Sequence, residues 1–402
     1  VGQDTFLIAI AMIFIIPFAV WRIFRLEHYA PLAVVQIVIG IVLGPGALGA
    51  LMPEYYGFVF NGRTTAVLAD LAAWAVMLFV WTAGLELDVD QAWRSRKETA
   101  VTAILALLVP LALGSLVALA LVTVPGWTGE RAEAWQAVLG IGMAAAVTSL
   151  PVLLVFMERL DIMGRPIGQR VLRYASLDDI AIWGVLALIM VDWARLGLQA
   201  GFLAGFLAAA LAMRWVMPRL GRQDRWYVGL AWLVLSSMAS DYAGLHFMVG
   251  AFLSGAILDS AWFGEEQVRA FRRHVLLALM PIFFLSTGLR TSWEAGGLMV
   301  AVAAAALLAA AIVGKLAGVA LAGRILKWSR LEGSVIGWLL QTKGLMMIVF
   351  AAVLLDKQII TGGAFTALLL MGVVSTALTI PIVAPKLERL LGTPEGRPEP
   401  AA

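Results

Sequence analysis

The chain has 402 residues, 62% of them hydrophobic and 14% charged, with a formal net charge of +3 and a mean hydropathy of +0.92. A soluble protein carries about 25% charged residues, so a soluble globular fold is excluded. The chain has no cysteine, which removes disulfides, thiol chemistry and cysteine-based metal sites.

A membrane-crossing helix needs roughly 20 apolar residues, and on that rule we expect an all-α polytopic protein with thirteen spans. The first runs over 5–21. The chain begins at Val1 rather than Met, so preceding residues are expected to be missing or processed. The span ends in Trp21-Arg22 without a small-residue cleavage site, as a retained helix does and a signal peptide does not. Spans follow at 31–52, 66–85 and 99–124. Asp70 lies a turn or so inside the third and reads as solvated or hydrogen-bonded near the outer face. Glu86, Asp88 and Asp90, at its inner end, read as loop charges. The fifth span, 134–157, contains Ala146-Val147-Thr148-Ser149-Leu150-Pro151. A proline inside a helix removes one backbone hydrogen bond and clashes with the carbonyl four residues back. Thr148 and Ser149 offer hydroxyls there, for freed backbone groups or for an ion.

The sixth span, 171–191, holds the most informative feature, the adjacent acids Asp178 and Asp179 in an otherwise apolar run. An ionised carboxylate near a bilayer centre costs about 2.5–3.5 kcal/mol on insertion scales. Two in a row point to binding of protons, cations or both. Spans at 198–217, 226–240 and 242–261 come next. The turn between the last two is placed at Asp241-Tyr242-Ala243-Gly244, and His246 just beyond it reads like Asp70. Spans at 275–292 and 297–321 follow. Lys315 in the latter lies nine residues from Arg324, too deep for easy snorkelling. The twelfth span, 333–355, is interrupted by Gln341-Thr342-Lys343-Gly344, and the thirteenth, 364–385, carries Ser375-Thr376. The Pro-rich tail 392–402 reads as disordered.

Charge orients the spans. With the N-terminus outside and the C-terminus cytoplasmic, inward segments hold 22 of the 29 basic residues and outward loops hold 5. That satisfies the positive-inside rule. Merging the helices at Asp241 into a twelve-span arrangement would spoil the alternation. Trp21, Trp93, Trp127, Trp193, Trp226, Trp262, Trp293 and Trp328 fall near span ends, as an aromatic belt does. The basic residues are spread over seven inner segments with no long run, so they report topology and not nucleic-acid binding.

Unwound backbone at membrane depth is tolerated only where it is buried in protein or lines a cavity. The two interruptions fall in spans 5 and 12, the spacing of two inverted five-helix repeats over spans 2–6 and 9–13. That correspondence sets span 6, with its aspartates, against span 13, with Ser375-Thr376. Paired broken helices near the midplane mark secondary-transporter sites. Counting from span ends puts Thr148, Gln341 and Lys315 at depths comparable with the aspartates. No hydrolase, oxidoreductase or nucleotide motif is present, so neither chemical catalysis nor a cofactor is expected.

The ordered set of motifs resembles the cation:proton antiporter superfamily. Its monovalent-cation branch includes sodium/proton exchangers and is related to Kef-type potassium transporters. The residues that carry the resemblance begin with Gln36-Ile37-Val38-Ile39-Gly40-Ile41-Val42-Leu43-Gly44-Pro45 and Leu78-Phe79-Val80-Trp81-Thr82-Ala83-Gly84-Leu85-Glu86-Leu87-Asp88. They continue with Thr148-Ser149-Leu150-Pro151-Val152, Leu177-Asp178-Asp179, Gly250-Ala251-Phe252-Leu253-Ser254-Gly255 and Pro281-Ile282-Phe283-Phe284-Leu285-Ser286-Thr287-Gly288-Leu289. Two departures matter. Many relatives have Arg-Gly-Glu in span 12, whereas Gln341-Thr342-Lys343-Gly344-Leu345 looks more like the plant and fungal cation/proton exchangers. Kef-type proteins replace the first aspartate with glutamine and append a nucleotide-binding domain. Here the pair is Asp-Asp and no such domain is expected, which speaks against glutathione or nucleotide gating.

The resemblance implies a moving core of spans 4–6 and 11–13 (about 99–191 and 297–385) and a scaffold of the remaining spans (about 5–85 and 198–292). It implies a homodimer in a bacterial inner membrane. Two broken helices, around Pro151 and around Gln341, Thr342, Lys343 and Gly344, would cross beside the aspartates. Asp179 would be the obligatory carrier of Na+ or K+ and of protons, with Asp178, Thr148 and Ser149 at the same site. Asp178 would pair with Lys315. Withdrawing a carboxylate from water favours its protonated form, so such a site holds a proton or a cation but not both. Release of a proton by Lys315 would move two protons per cation, and a Lys315 that stays charged would give electroneutral exchange. A channel-like potassium efflux protein and a transport-inactive sensor are the alternatives on the same fold.

Overall fold

The computed structural model describes residues 2–26, 30–86, 96–293 and 297–391. Asp88, Asp90, Trp93 and the tail 392–402 lie outside them. Among the described residues the chain is helical, apart from one isolated antiparallel bridge, Thr128 to Ile360. The main helices, in chain order, begin with α1 (Gly2–Ile23), α2 (Leu32–Leu43), α3 (Gly62–Leu85) and α4 (Arg96–Val122). Next come α5 (Ala134–Ala146), α6 (Leu150–Arg159), α7 (Pro166–Ile189), α8 (Leu196–Val216), α9 (Arg222–Tyr242) and α10 (Phe247–Ala256). The series ends with α11 (Glu265–His274), α12 (Met280–Leu289), α13 (Gly297–Leu326), α14 (Arg330–Leu340), α15 (Leu345–Asp356) and α16 (Gly362–Leu391). Among the described residues, eight helical stretches are long and apolar enough to cross a membrane, or nine if α14 and α15, bent by 44°, form one. α7 falls outside that set.

Local sequence explains the breaks. α5 stops at Ala146 and α6 starts at Leu150, so Pro151 stands in the first turn of a new helix. Span 5 is a broken helix, and Pro151 stands not in a helix interior but at the start of its second half. In the first turn the missing N–H costs nothing, because that donor has no intrahelical acceptor. The turn expected at Asp241–Gly244 is present: α9 ends at Tyr242, Gly244 has φ +89°, and α10 begins at Phe247. His246 is buried there, and its ring accepts a hydrogen bond from the Met248 N–H at 3.3 Å, capping α10. Asp70 is exposed on α3. Glu86 is not a solvated loop charge; it is largely buried and ion-paired with Arg272.

The chain divides into two compact units. The first comprises Val1–Phe24, Val35–Val89 and Ala181–Ser292. In it α10 packs on α3 and α9, and α3 also packs on α12. The second comprises Arg25–Val34, Asp90–Ile180 and Trp293–Ala402. Here α13 packs on α4 and α16, and α4 on α5. The α4–α13 crossing is close because Gly314 sits directly on the Pro110 backbone, where any Cβ would overlap it. Small residues give membrane helices this approach, since packing and not expulsion of water drives their association. A core cluster of the second unit joins Leu153 and Met157 of α6, Val171 and Ala175 of α7, Ile336 and Leu339 of α14, and Val383 of α16. It fixes the helices that carry the site.

Candidate ion-binding site

The two interruptions meet each other. Ser149 N–H donates to the Thr342 carbonyl at 2.8 Å. Thr148 Oγ1 lies 2.6 Å from the Leu340 carbonyl. Lys343, fully buried, donates from Nζ to the Val147 carbonyl at 2.7 Å. A helix end leaves its last carbonyls without intrahelical donors, and the dipole makes that end negative. Each break thus supplies polar groups for the backbone of the other, and an ammonium sits at the C-terminal end of α5. The chain escapes from α14 at Gly344, whose φ of +129° suits glycine and where a Cβ would lie 2.9 Å from Val152 Cγ2.

Asp178 joins this crossing from α7. Its Oδ2 is 2.6 Å from Thr148 Oγ1 and 3.1 Å from Lys315 Nζ, and Lys315 also donates to Thr148 Oγ1 at 3.1 Å. The side chains of Lys315 and Asp178 are 0% and 3% exposed. A hydroxyl has one proton to donate, so the Asp178 carboxylate and the Leu340 carbonyl compete for that of Thr148. Hydrogen bonds thus join Thr148, Asp178, Lys315 and Leu340 into one network.

The residues that follow three of these in sequence are different. Ser149 follows Thr148, Asp179 follows Asp178, and Gln341 follows Leu340. All three are buried. Among the described residues, Ser149 Oγ, Asp179 Oδ1 and Gln341 Oε1 have no hydrogen-bond partner. Leaving a buried polar group unpaired costs about 1–3 kcal/mol, and more when it is charged. A buried oxygen that lacks a donor is suited to a cation or to an added proton.

Residues 8–388 match the family described as sodium/hydrogen exchanger, transmembrane. The chain belongs to that family. It is therefore a multi-pass integral membrane protein. It is 28% identical over 376 residues to the Na(+)/H(+) antiporter NhaS4 of Synechocystis, covering 88% of this chain and 90% of that one. It is 27% identical over 388 residues to cation/H(+) antiporter 20 of Arabidopsis thaliana, covering 88% and 45%. The K(+)/H(+) antiporter 1 of Saccharomyces cerevisiae is 27% identical over 395 residues, covering 91% and 44%. The chain thus spans less than half the length of those plant and yeast relatives. A solved structure of the sodium proton antiporter MjNhaP1 from Methanocaldococcus jannaschii aligns with a TM-score of 0.63, covering 98% of this chain and 100% of that one. At 13% identity that likeness concerns the fold alone.

In this exchanger-family chain α7 is also anchored away from the site. Arg170, Tyr174 and Asp178 are spaced i, i+4 and i+8, on one face of the helix. Arg170 donates to Glu98 of α4 at 2.6 Å and to Glu332 of α14 at 2.5 Å, while Tyr174 donates to the same Glu98 oxygen at 2.5 Å. The Arg170 guanidinium also covers the Trp328 ring at 4.6 Å. The face of α7 that presents Asp178 is therefore tied, two turns earlier, to α4 and to the helix that leads into the second break. Sequence reasoning passed over this tie. Its only sequence signal is the spacing of Arg170 and Tyr174 on the Asp178 face.

Proposed function

We propose that the chain is a secondary active antiporter that exchanges a monovalent cation, Na+ or K+, for protons across a membrane by alternating access. One observation carries the reading. Of two adjacent buried carboxylates, Asp178 is matched by Lys315, whereas Asp179 keeps a buried oxygen without a donor. In this reading Asp178 serves with Thr148 as a neutralised support, and Asp179 alternates between proton and cation, with Ser149 beside it. Asp179 cannot hold both at once, and that exclusivity is what couples the two fluxes. The named activities of relatives, Na(+)/H(+) antiporter in Synechocystis and K(+)/H(+) antiporter in yeast, support the class of substrate.

The division of the chain into two compact units supports an elevator-like division of labour. A core of about 99–191 and 297–385 carries the site, and a scaffold of about 5–85 and 198–292 supports it, in a homodimer. The unit boundary after Ile180 assigns the rest of α7 to the scaffold side. We read the topology as thirteen spans with two inverted five-helix repeats, in a bacterial inner membrane, the N-terminus outside and the C-terminus cytoplasmic. The basic-residue distribution supports that orientation.

Purified protein in proteoliposomes is expected to move protons against an imposed gradient of Na+ or K+. Cation flux that proceeds as channel conductance without proton movement would overturn the exchanger reading. Topology has its own test, since the chain contains no cysteine. In intact cells a membrane-impermeant thiol reagent should label Arg131→Cys from outside and leave Arg222→Cys unlabelled. Outside labelling at position 222 would reject the thirteen-span arrangement.

A further inference from the structure

Gln341 closes α14 at the second break and is wholly buried. Its terminal amide has two orientations, and Ser375 of α16 decides between them. Ser375 Oγ lies 3.0 Å from the Gln341 backbone carbonyl and 3.2 Å from the Gln341 side-chain amide. A serine hydroxyl has a single proton, and a backbone carbonyl only accepts. The proton of Ser375 is therefore given to the carbonyl. What remains on Ser375 Oγ can only accept, so the amide atom facing it is the NH2 group. Oε1 is turned the other way, into buried surroundings where no described residue donates to it.

Oε1 shares that condition with Asp179 Oδ1 and Ser149 Oγ, on the residues that follow Asp178 and Thr148, which hydrogen-bond to each other. Amide and carbonyl oxygens can replace water around an alkali cation. An amide NH2 in the same place would repel it. The orientation that Ser375 enforces thus sets whether this position attracts or opposes a cation.

We propose that Gln341 Oε1 is a ligand of the transported cation and that Ser375 is the positioning residue that holds it in the ligating orientation. This rests on the antiport reading above and adds to it a cation-affinity determinant on α14 and α16.

The test is a KM-against-maximal-rate split in proteoliposomes, with Na+ and K+ titrated separately. Ser375→Ala frees the amide to turn. It should raise the apparent KM for the transported cation about tenfold, equivalent to about 1.4 kcal/mol. The maximal rate should stay within about twofold, as expected when binding rather than turnover is altered. Ser375→Thr keeps the hydroxyl and should restore a KM near that of the unmodified protein. In a Gln341→Leu background, Ser375→Ala should add nothing further. If Ser375 merely tied α14 to α16, Ser375→Ala would lower the melting temperature and the maximal rate while leaving KM unchanged. That result overturns the proposal, as does an equally large KM effect of Ser375→Ala in the Gln341→Leu background. The Ser375 pair alone decides if Gln341→Leu does not fold. Unmodified protein that moves no protons in response to either cation would sink the antiport reading and this inference with it. Robust exchange beside a Ser375→Ala variant of unchanged KM would sink the inference alone.

Discussion

Asp179→Asn yields folded protein that no longer exchanges cations for protons. Asparagine keeps the size of aspartate and its capacity for hydrogen bonds, but it neither titrates nor carries a charge. Asp179 is 2% exposed and its Oδ1 has no partner among the described residues, whereas the carboxylate beside it is held by Lys315 and Thr148. An ionised group left unpaired in the interior is a cost to the fold. Removing that charge should therefore leave the melting temperature of the purified protein equal to or above that of the unmodified protein. Function should move the other way, because the same unmatched charge is what meets a proton or a cation. In everted vesicles or proteoliposomes, dissipation of a pH gradient on addition of Na+ or K+ should fall to the level of empty membranes. A folded Asp179→Asn protein that dissipates the gradient with either cation would remove Asp179 from the centre of the mechanism. A variant that fails to fold would show instead that the carboxylate is structural.

The parts of this site that could be read from the sequence are those in which one segment contradicts its own surroundings. Asp178-Asp179 contradict an apolar run, Pro151 contradicts a continuous helix, and Gln341 to Gly344 contradict a span. Each is local, so each shows without knowledge of the fold. Eight or nine of the helical stretches follow from apolar run length among the described residues, though α7 does not, and the turn at Gly244 follows from a run too long for one crossing. What stayed hidden depends on contacts between distant segments. Lys343 reads as one more polar interruption, and nothing near it indicates that it reaches the Val147 carbonyl, 196 positions away in the chain. Arg170 reads as an inner-face topology charge, whereas its partners Glu98 and Glu332 lie 72 and 162 positions away. Glu86 read as a loop charge for the same reason, its partner Arg272 lying 186 positions away. A repeat correspondence sets Ser375 against the aspartates, but the residue it bonds is Gln341. Pro151 signals a break in span 5 from sequence alone, but its exact place, in the first turn of the second half and not in a helix interior, depends on where α5 ends.

Lys315→Gln should cost more stability than any other single change at the crossing. Lys315 Nζ lies 3.1 Å from Asp178 Oδ2 and is wholly buried. Its removal leaves the Asp178 carboxylate in the interior without its ion-pair partner and hydrogen-bonded to the Thr148 hydroxyl, for which the Leu340 carbonyl also competes. Breaking a buried ion pair by deleting one partner costs about 3–5 kcal/mol, because the other charge stays behind. Asp178→Asn should destabilise in the same sense, since it strands the ammonium. The double variant Asp178→Asn/Lys315→Gln strands neither charge, and an amide pair of similar shape can still hydrogen-bond to Thr148. Its melting temperature in detergent should therefore lie well above the value expected from adding the two single losses. Residues in direct contact show interaction energies of about 0.5–3 kcal/mol in such cycles, and this pair should fall at or above the upper end. Transport should respond differently from stability. Because Asp179 is not a partner of Lys315, the Lys315→Gln variant should retain measurable exchange while its stoichiometry or pH dependence changes, which a comparison of membrane-potential and pH-gradient signals would reveal. Strict additivity of the two stability losses would mean that the 3.1 Å contact carries no net energy. Lys315 would then be a buried lysine with no energetic tie to Asp178, and nothing would separate a supporting Asp178 from a carrying Asp179.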